Sequence, residues 1–199
     1  MITELPNNPG AYKEYWEELA KAHTNIDHQP ASEERFVVIN EGQINPFNGV
    51  DLSELIAKQR STLKYTTAPG EDRKLLMVLT EWASDMEGVT MRPEDIVEGS
   101  FLLLGKVRQK DWEQKREVQD LAYAVGRELI AFTVQFFENN SRLGIHHDVQ
   151  VDSVGPITED NLHGYRFDFK WQLHAALFYV EDNFNGLEPN RIIPNGTEY

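Results

Sequence analysis

Residues 163–174, HGYRFDFKWQLH, constrain the fold of this 199-residue chain more than any other stretch. Side chains in a β-strand point alternately to opposite faces, so residues two apart share a face. One face of this segment is apolar, with Tyr165, Phe167, Phe169, Trp171 and Leu173. The other face is polar or charged, with Arg166, Asp168, Lys170, Gln172 and His174. The pattern predicts a half-buried β-strand.

A second alternating segment, HHDVQVDSVGPI at residues 146–157, lies just before the first. Its valines at 149 and 151 face away from the neighbouring polar residues. A turn-rich stretch, GPITEDNLHG, joins the two segments, so they pair most naturally as an antiparallel hairpin. Further strands are predicted at residues 35–40, 74–83 and 100–109, where apolar runs lie between polar or turn residues.

The strongest helix signal covers residues 111–137. Asp111 stands at the N-cap position and Gln114 follows three residues later, which is the arrangement of a capping box. Apolar residues then recur at spacings of three and four: Val118, Leu121, Ala122, Val125, Leu129, Phe132 and Phe136. A shorter amphipathic helix is predicted at 10–23, and Asp51 caps another predicted short helix.

These elements predict a two-layer α+β fold, in which a mostly antiparallel sheet packs against one long amphipathic helix. An extra N-terminal helix and an extended C-terminal tail are added to it. Residues 1–34 are interpreted as an N-terminal arm and helix, 35–181 as the α+β domain, and 182–199 as the tail. The length of the chain suits one domain with terminal arms.

The net charge of −14 narrows the functional classes. Binding to phosphate backbones needs clustered Lys and Arg, and no basic run occurs, so a general nucleic-acid binder is disfavoured. Because there is no cysteine, disulfides and thiolate metal sites are excluded. The N-terminus lacks a signal-peptide pattern, and the longest apolar runs, FLLLG and HAALFYV, are too short to span a bilayer. We therefore expect a soluble protein that is made in the cytoplasm.

Signals for catalysis are weak. The sequence contains no G-x-S-x-G, no Gly-rich phosphate loop and no helical pair of metal-binding histidines. Acidic stretches such as EWASDMEG are typical of solvated surface. We expect no enzyme activity, no catalytic residue, no metal site and no cofactor. The alternative of this class is a small metal-dependent hydrolase that uses His146, Asp148 and His163 across the hairpin.

The sequence supports interaction surfaces better than it supports catalytic or metal sites. The aromatic residues of the first helix either pack onto the domain or act as arm contacts to a partner: Tyr12, Tyr15 and Trp16. Opposite charges on the last strand can set the register between identical copies. The candidate subunit-interface or channel-facing residues are those of its polar face: Arg166, Asp168, Lys170 and Gln172. In a monomer this face is only the wet side of a sheet.

By pattern, residues 74–175 resemble phage tail terminator and related neck proteins. The shared run is strand, strand, long amphipathic helix and two-strand hairpin. The strand before the helix ends in a charged turn, FLLLGKVRQKDWEQK. The hairpin is VGPITEDNLHGYRFDFKWQL, and its second strand begins at a glycine and has aromatic residues at alternate positions.

The resemblance implies a homo-oligomeric ring, usually a hexamer, that caps a finished tail tube in the virion. Such a ring joins the tube protein to head-side connector or adaptor proteins, and it has no membrane partner. The resemblance also implies an α+β subunit with its sheet towards the channel and its helix outside, and it implies no catalytic residues. Genomic DNA passes through without specific binding, and an acidic lumen suits this passage because it repels phosphates.

Two features depart from the family pattern. Residues 1–73 are longer than a minimal terminator needs, and the tail after residue 181 is additional. Within the same class, the alternatives are another head–tail connector or completion protein and the cap of a contractile injection system. Outside it stand the metal-dependent hydrolase and a monomeric ligand-binding module, for which the sequence shows no pocket signature.

Overall fold

A computed structural model of the chain describes residues 9–39, 74–80, 83–87, 94–139, 144–157 and 161–174. Its elements, in chain order, are α1 (Pro9–Ala22), β1 (Phe36–Ile39), β2 (Leu76–Thr80), β3 (Ala83–Glu87), β4 (Glu94–Lys106), α2 (Trp112–Asn139), β5 (Gly144–Ile157) and β6 (Leu162–His174). The short helix predicted after Asp51 and the tail at 182–199 lie outside the described residues.

The six strands form one sheet with the order β1-β2-β4-β6-β5, and β3 pairs with β4. β1 and β2 are parallel, and every other pair is antiparallel. β2 and β3 pair with successive parts of β4, whose other side pairs with β6 along the full length of both strands. The predicted α+β fold with a mostly antiparallel sheet and one long helix packed against it is confirmed.

The start of α2 explains why the helix begins where it does. Asp111 is the N-cap, because its Oδ1 accepts a hydrogen bond from the backbone N–H of Gln114 at 2.9 Å. The Gln114 side chain does not complete a capping box, since its Oε1 accepts from the N–H of Arg108 at 2.7 Å. The Gln114 side chain thereby ties the charged turn after β4 to the first turn of α2.

Both helices pack on one face of the sheet and form a single core with it. Trp16 of α1 lies at its centre, with ring centroids 5.0 Å from Phe101 and 5.2 Å from Phe169. Phe167 stacks on Phe101 at 5.0 Å and faces α2. Since α1 shares this core, the segment interpreted as an N-terminal arm is in part a layer of the domain.

A second cluster of buried apolar residues lies on the opposite face of the sheet, at the end formed by β1, β2 and half of β4. It contains Val37, Ile39, Leu76, Val78, Leu102, Leu104 and Leu162. All five residues of β2 are buried, so this strand is covered on both faces. This agrees with its sequence, LMVLT, which is almost continuously apolar rather than alternating.

Candidate functional site

The polar face of β6 occupies the rest of that opposite side of the sheet. Phe167 and Phe169 point into the core, whereas Arg166, Asp168 and Lys170 point to the other face, as the alternation predicted. The directly paired residues of β4 and β5 add to this surface. We call it the charged face, and its described members are Glu98, Gln150, Asp152, Arg166, Asp168 and Lys170.

Charges on this face are paired locally. Lys170 forms an ion pair with Glu98 directly across on β4. Arg166 donates from Nε to Asp168 Oδ1 at 2.7 Å along the same strand. On β5, Gln150 Nε2 donates to Asp152 Oδ2 at 2.9 Å. Such exposed pairs contribute little to stability, and they leave three carboxylates facing two cations, so the charged face is weakly acidic.

A groove of about 410 Å³ crosses the charged face at an irregularity in β5. His146 pairs with Lys170 and Gln150 with Asp168, so four residues of β5 span what two residues of β6 span. The extra residues form a β-bulge, a common device on edge strands because it disturbs pairing with another chain. Val149 and Phe169 give the groove apolar lining, and the charged side chains line the rest.

Hydroxyl groups mark the boundary between the charged face and the apolar cluster beside it. Thr80 Oγ1 accepts from the backbone N–H of Ser100 at 2.9 Å and donates to the carbonyl oxygen of Ser100 at 3.0 Å. Both side chains are buried. One face of a single sheet is thereby divided into an apolar half and a charged half.

The predicted site residues are only partly brought together. Arg166, Asp168 and Lys170 lie side by side, as expected. Gln172 pairs in the backbone with Ile96 and Gly144, but its side chain lies outside the described part of the structure.

The three aromatic residues predicted as arm contacts lie in the core instead. Tyr12, Tyr15 and Trp16 are at most 2% exposed, so they cannot reach a neighbour without leaving the core. Tyr15 Oη donates to Thr133 Oγ1 at 2.9 Å and thereby joins the two helices. Burial raises the pKa of this phenol well above its usual range, so it stays protonated. Of the two sequence interpretations, packing onto the domain is the one found.

The histidines of the hydrolase alternative lie at opposite ends of the hairpin. His146 pairs with Lys170, which is seven residues along β6 from His163, a separation of about 23 Å at the rise of a strand. One ion cannot bridge that distance, and the proposed triad with Asp148 is therefore not assembled. In the described part of the chain, no group of three acidic or histidine residues is placed to hold a metal.

Two surface features were not anticipated from the sequence. Trp112, the first residue of α2, is 76% exposed, and the ammonium of Lys115 lies 5.1 Å from its ring centre. Between the helices, a groove of about 490 Å³ has Leu19, Leu129 and the half-exposed Phe132 among its lining residues. Helical periodicity placed Phe132 on the buried side of α2, and only the position of α1 shows that it lies at the edge of that side.

In the described residues, neither helix has an apolar stretch long enough to cross a membrane. No protein-family model matches the chain, and no curated protein matches it. The structure defines an α+β protein. Its notable surface features in the described residues are the charged face, the exposed Trp112 and the groove between the two helices.

Proposed function

We propose that this chain is a structural virion protein that forms a ring at the head-proximal end of a phage tail tube. In this role it joins the tube to the head-side connector and lets DNA pass. The proposal extends the pattern resemblance at residues 74–175, and the α+β layout of the subunit is the layout that the resemblance implies.

The division of the sheet is the observation that carries the proposal. One face is filled by two helices and an aromatic core, and half of the other face carries mostly charged and polar side chains around a groove that Val149 and Phe169 also line. An antiparallel sheet commonly packs one face on the core and leaves the other solvated. In a ring subunit the solvated face is the one that would face a channel or a neighbour.

The charge pattern suits a channel wall that DNA passes without being held. A duplex carries one negative charge per about 1.7 Å, and holding it requires unpaired Lys or Arg side chains. Both cations of the charged face are paired with carboxylates, in Lys170–Glu98 and Arg166–Asp168. The remaining excess is acidic, as is the chain with its net charge of −14.

Native mass spectrometry with negative-stain imaging over a range of protein concentrations tests the proposal. We expect a closed ring with a central hole, and rings that bind the ends of purified tail tubes. A protein that stays monomeric at every concentration, also in the presence of tubes, contradicts the proposal. Rings that bind a portal or connector but not tubes favour the alternative, a head-completion protein.

A matched pair of variants tests the placement of the charged face. At about 150 mM salt, where long-range repulsion is screened, the double variant Arg166→Glu with Lys170→Glu should form rings like the parent, because a channel wall makes no contact between subunits. Loss of the ring with retention of the fold, measured by circular dichroism, would place this face in the subunit seam instead. Gln150→Ala on the same face serves as the neutral control.

A further inference from the structure

The exposed Trp112 is the centre of a small cationic projection. Arg108, Lys110 and Lys115 line the surface beside it, and Asp111 is the one carboxylate among the described residues of that lining. Asp111 is already engaged as the N-cap. Arg108 and Lys110 are exposed, Lys115 lies over the indole, and Arg116 is paired with Asp120 at 3.9 Å. In a chain with a net charge of −14, this corner has the opposite sign and an exposed aromatic ring.

The groove between α1 and α2 has the complementary character. Leu19 and Leu129 are buried and give it apolar lining, and Phe132, 49% exposed, adds an aromatic one. Its other lining residues include Glu18, Glu128 and His23, whose Nε2 lies 3.1 Å from Glu128 Oε2. Glu18 shares Lys21 with Glu17, so this end of α1 is acidic overall. The volume of about 490 Å³ is in the range of pockets that bury small ligands, and an indole fits it.

One copy cannot fill its own groove. Trp112 precedes Glu128 by 16 residues and Phe132 by 20 residues of the same helix, which at 1.5 Å per residue separates the projection from the groove by about 24–30 Å. Contact between them needs two copies, and it joins two different surfaces. When each copy inserts its projection into a different neighbour, the contact is heterologous and forms a ring where the rotation closes, whereas two copies that exchange projections form a closed two-fold dimer.

From this complementarity we infer that Trp112 of one copy inserts into the α1–α2 groove of the next, with its cations beside Glu18 and Glu128. Trp is enriched among the residues that dominate binding energy, and rim charges add specificity and association rate. This inference rests on the proposed function, since it names the seam of the ring. It also leaves the charged face of the sheet free for the channel.

The first test compares Trp112→Ala with Tyr123→Ala by sedimentation velocity and native mass spectrometry. Both residues are exposed aromatics of α2, but Tyr123 lies outside the projection and the groove. We expect the subunit dissociation constant to rise at least about thirty-fold for Trp112→Ala and less than about threefold for Tyr123→Ala. Trp112→Ala should keep the thermal midpoint of the parent, because its ring is largely solvent-exposed. Tyr123→Ala should lower it slightly, because the Tyr123 ring packs against Tyr165.

Charge reversal supplies the second test. Lys115→Glu and Glu128→Lys should each weaken assembly, and the double variant should recover much of it, because each seam then contains both reversed charges. The chain has no cysteine, so a mixture of Glu113→Cys and Ala22→Cys copies should cross-link through an added bis-maleimide. Either variant alone should not.

The outcomes separate this inference from the proposed function. Rings that are as stable in Trp112→Ala as in the parent, with no cross-link in the mixed sample, overturn the seam and leave the ring proposal standing. A parent that never assembles overturns both. The proposed seam is also overturned if another virion protein binds in the groove while copies of the chain do not cross-link with one another.

Discussion

Gly126 decides how closely α2 approaches the sheet. It lies in the middle of the helix, where glycine costs about 1 kcal/mol relative to alanine. A methyl group at this position would overlap the ring of Phe167 from β6. Gly99 has the same role in β4, where a side chain would collide with Tyr12 and Phe169. At these two glycines, aromatic rings of the core lie directly against the backbone. Helix propensity alone does not predict such contacts.

Gly126→Ala should therefore destabilise the protein although it improves helix propensity. Overpacking costs about 1–3 kcal/mol, and the added carbon would overlap the Phe167 ring, so the cost outweighs the gain of about 1 kcal/mol from propensity. We expect a net loss of up to about 2 kcal/mol in the free energy of unfolding, measured by urea denaturation. In the Phe167→Leu background the loss should shrink. A stabilised Gly126→Ala protein would mean that the helix can move away from the sheet.

Two buried histidines give the fold a dependence on pH. His28 Nδ1 accepts a hydrogen bond from the N–H of Arg35 at 3.0 Å, and burial lowers its pKa. His163 Nε2 lies 3.0 Å from Asn161 Oδ1, and burial, together with Lys115, lowers its pKa. The Asn161 amide donates from Nδ2 to the carbonyl of Val107, so its oxygen accepts from His163. Both imidazoles are therefore held neutral.

Above the ordinary histidine pKa of 6.5, the folded and unfolded states both carry neutral imidazoles. As the pH falls below 6.5, the unfolded chain binds protons before the folded chain does. The free energy of unfolding should therefore decline from pH 6.5 down to the lowered folded pKa values. Calorimetry between about pH 7.5 and pH 5 should show a shallower decline for the double variant His28→Gln with His163→Gln. An unchanged slope would contradict the assignment of neutral imidazoles.

At the scale of elements, α1 is a structural layer. Trp16 is fully buried between Phe101 and Phe169, and the helix is tied to α2 through Tyr15 and Thr133. Removing such a helix would expose the aromatic core, whereas removing a loose arm would leave the domain folded.

Trp16→Ala should lower the free energy of unfolding by about 3–5 kcal/mol, the usual cost of truncating a large buried aromatic residue. Lys13→Ala, on the exposed side of the same helix, should change it by less than about 0.5 kcal/mol. Chemical denaturation of both variants measures the difference. If the two substitutions changed the free energy of unfolding equally, α1 would be a separable arm and not a layer of the domain.

Elements with a strong local period were predictable from the sequence. The helix expected at 111–137 runs from Trp112 to Asn139, and the hairpin expected at 146–157 and 163–174 runs over Gly144–Ile157 and Leu162–His174. β3 was not predicted, because ASDME has no regular alternation of apolar residues and gains its partner only from β4. The charged face followed from alternation. Its groove did not, because the bulge in β5 depends on how two strands pair.

At the scale of the whole molecule, net charge opposes assembly. A chain of 199 residues has a diameter of about 40 Å, and two copies in contact have their centres about that far apart. Two charges of −14 at this separation repel by an energy on the order of 20 kcal/mol in unscreened water. At 0.1 M salt the Debye length is about 10 Å, which reduces this repulsion to below about 1 kcal/mol.

Assembly should therefore strengthen as salt rises from about 10 mM to about 150 mM, because screening removes the long-range repulsion faster than it weakens contacts at the seam. Sedimentation velocity at several salt concentrations measures this.

At about 1 M salt the cation–carboxylate contacts are screened as well, but the burial of the Trp112 ring persists, so rings should survive. Lys115→Glu should keep the salt-promoted rise and reach a lower plateau. Rings that form equally well at about 10 mM salt would contradict this prediction and show that long-range repulsion between the copies does not limit assembly.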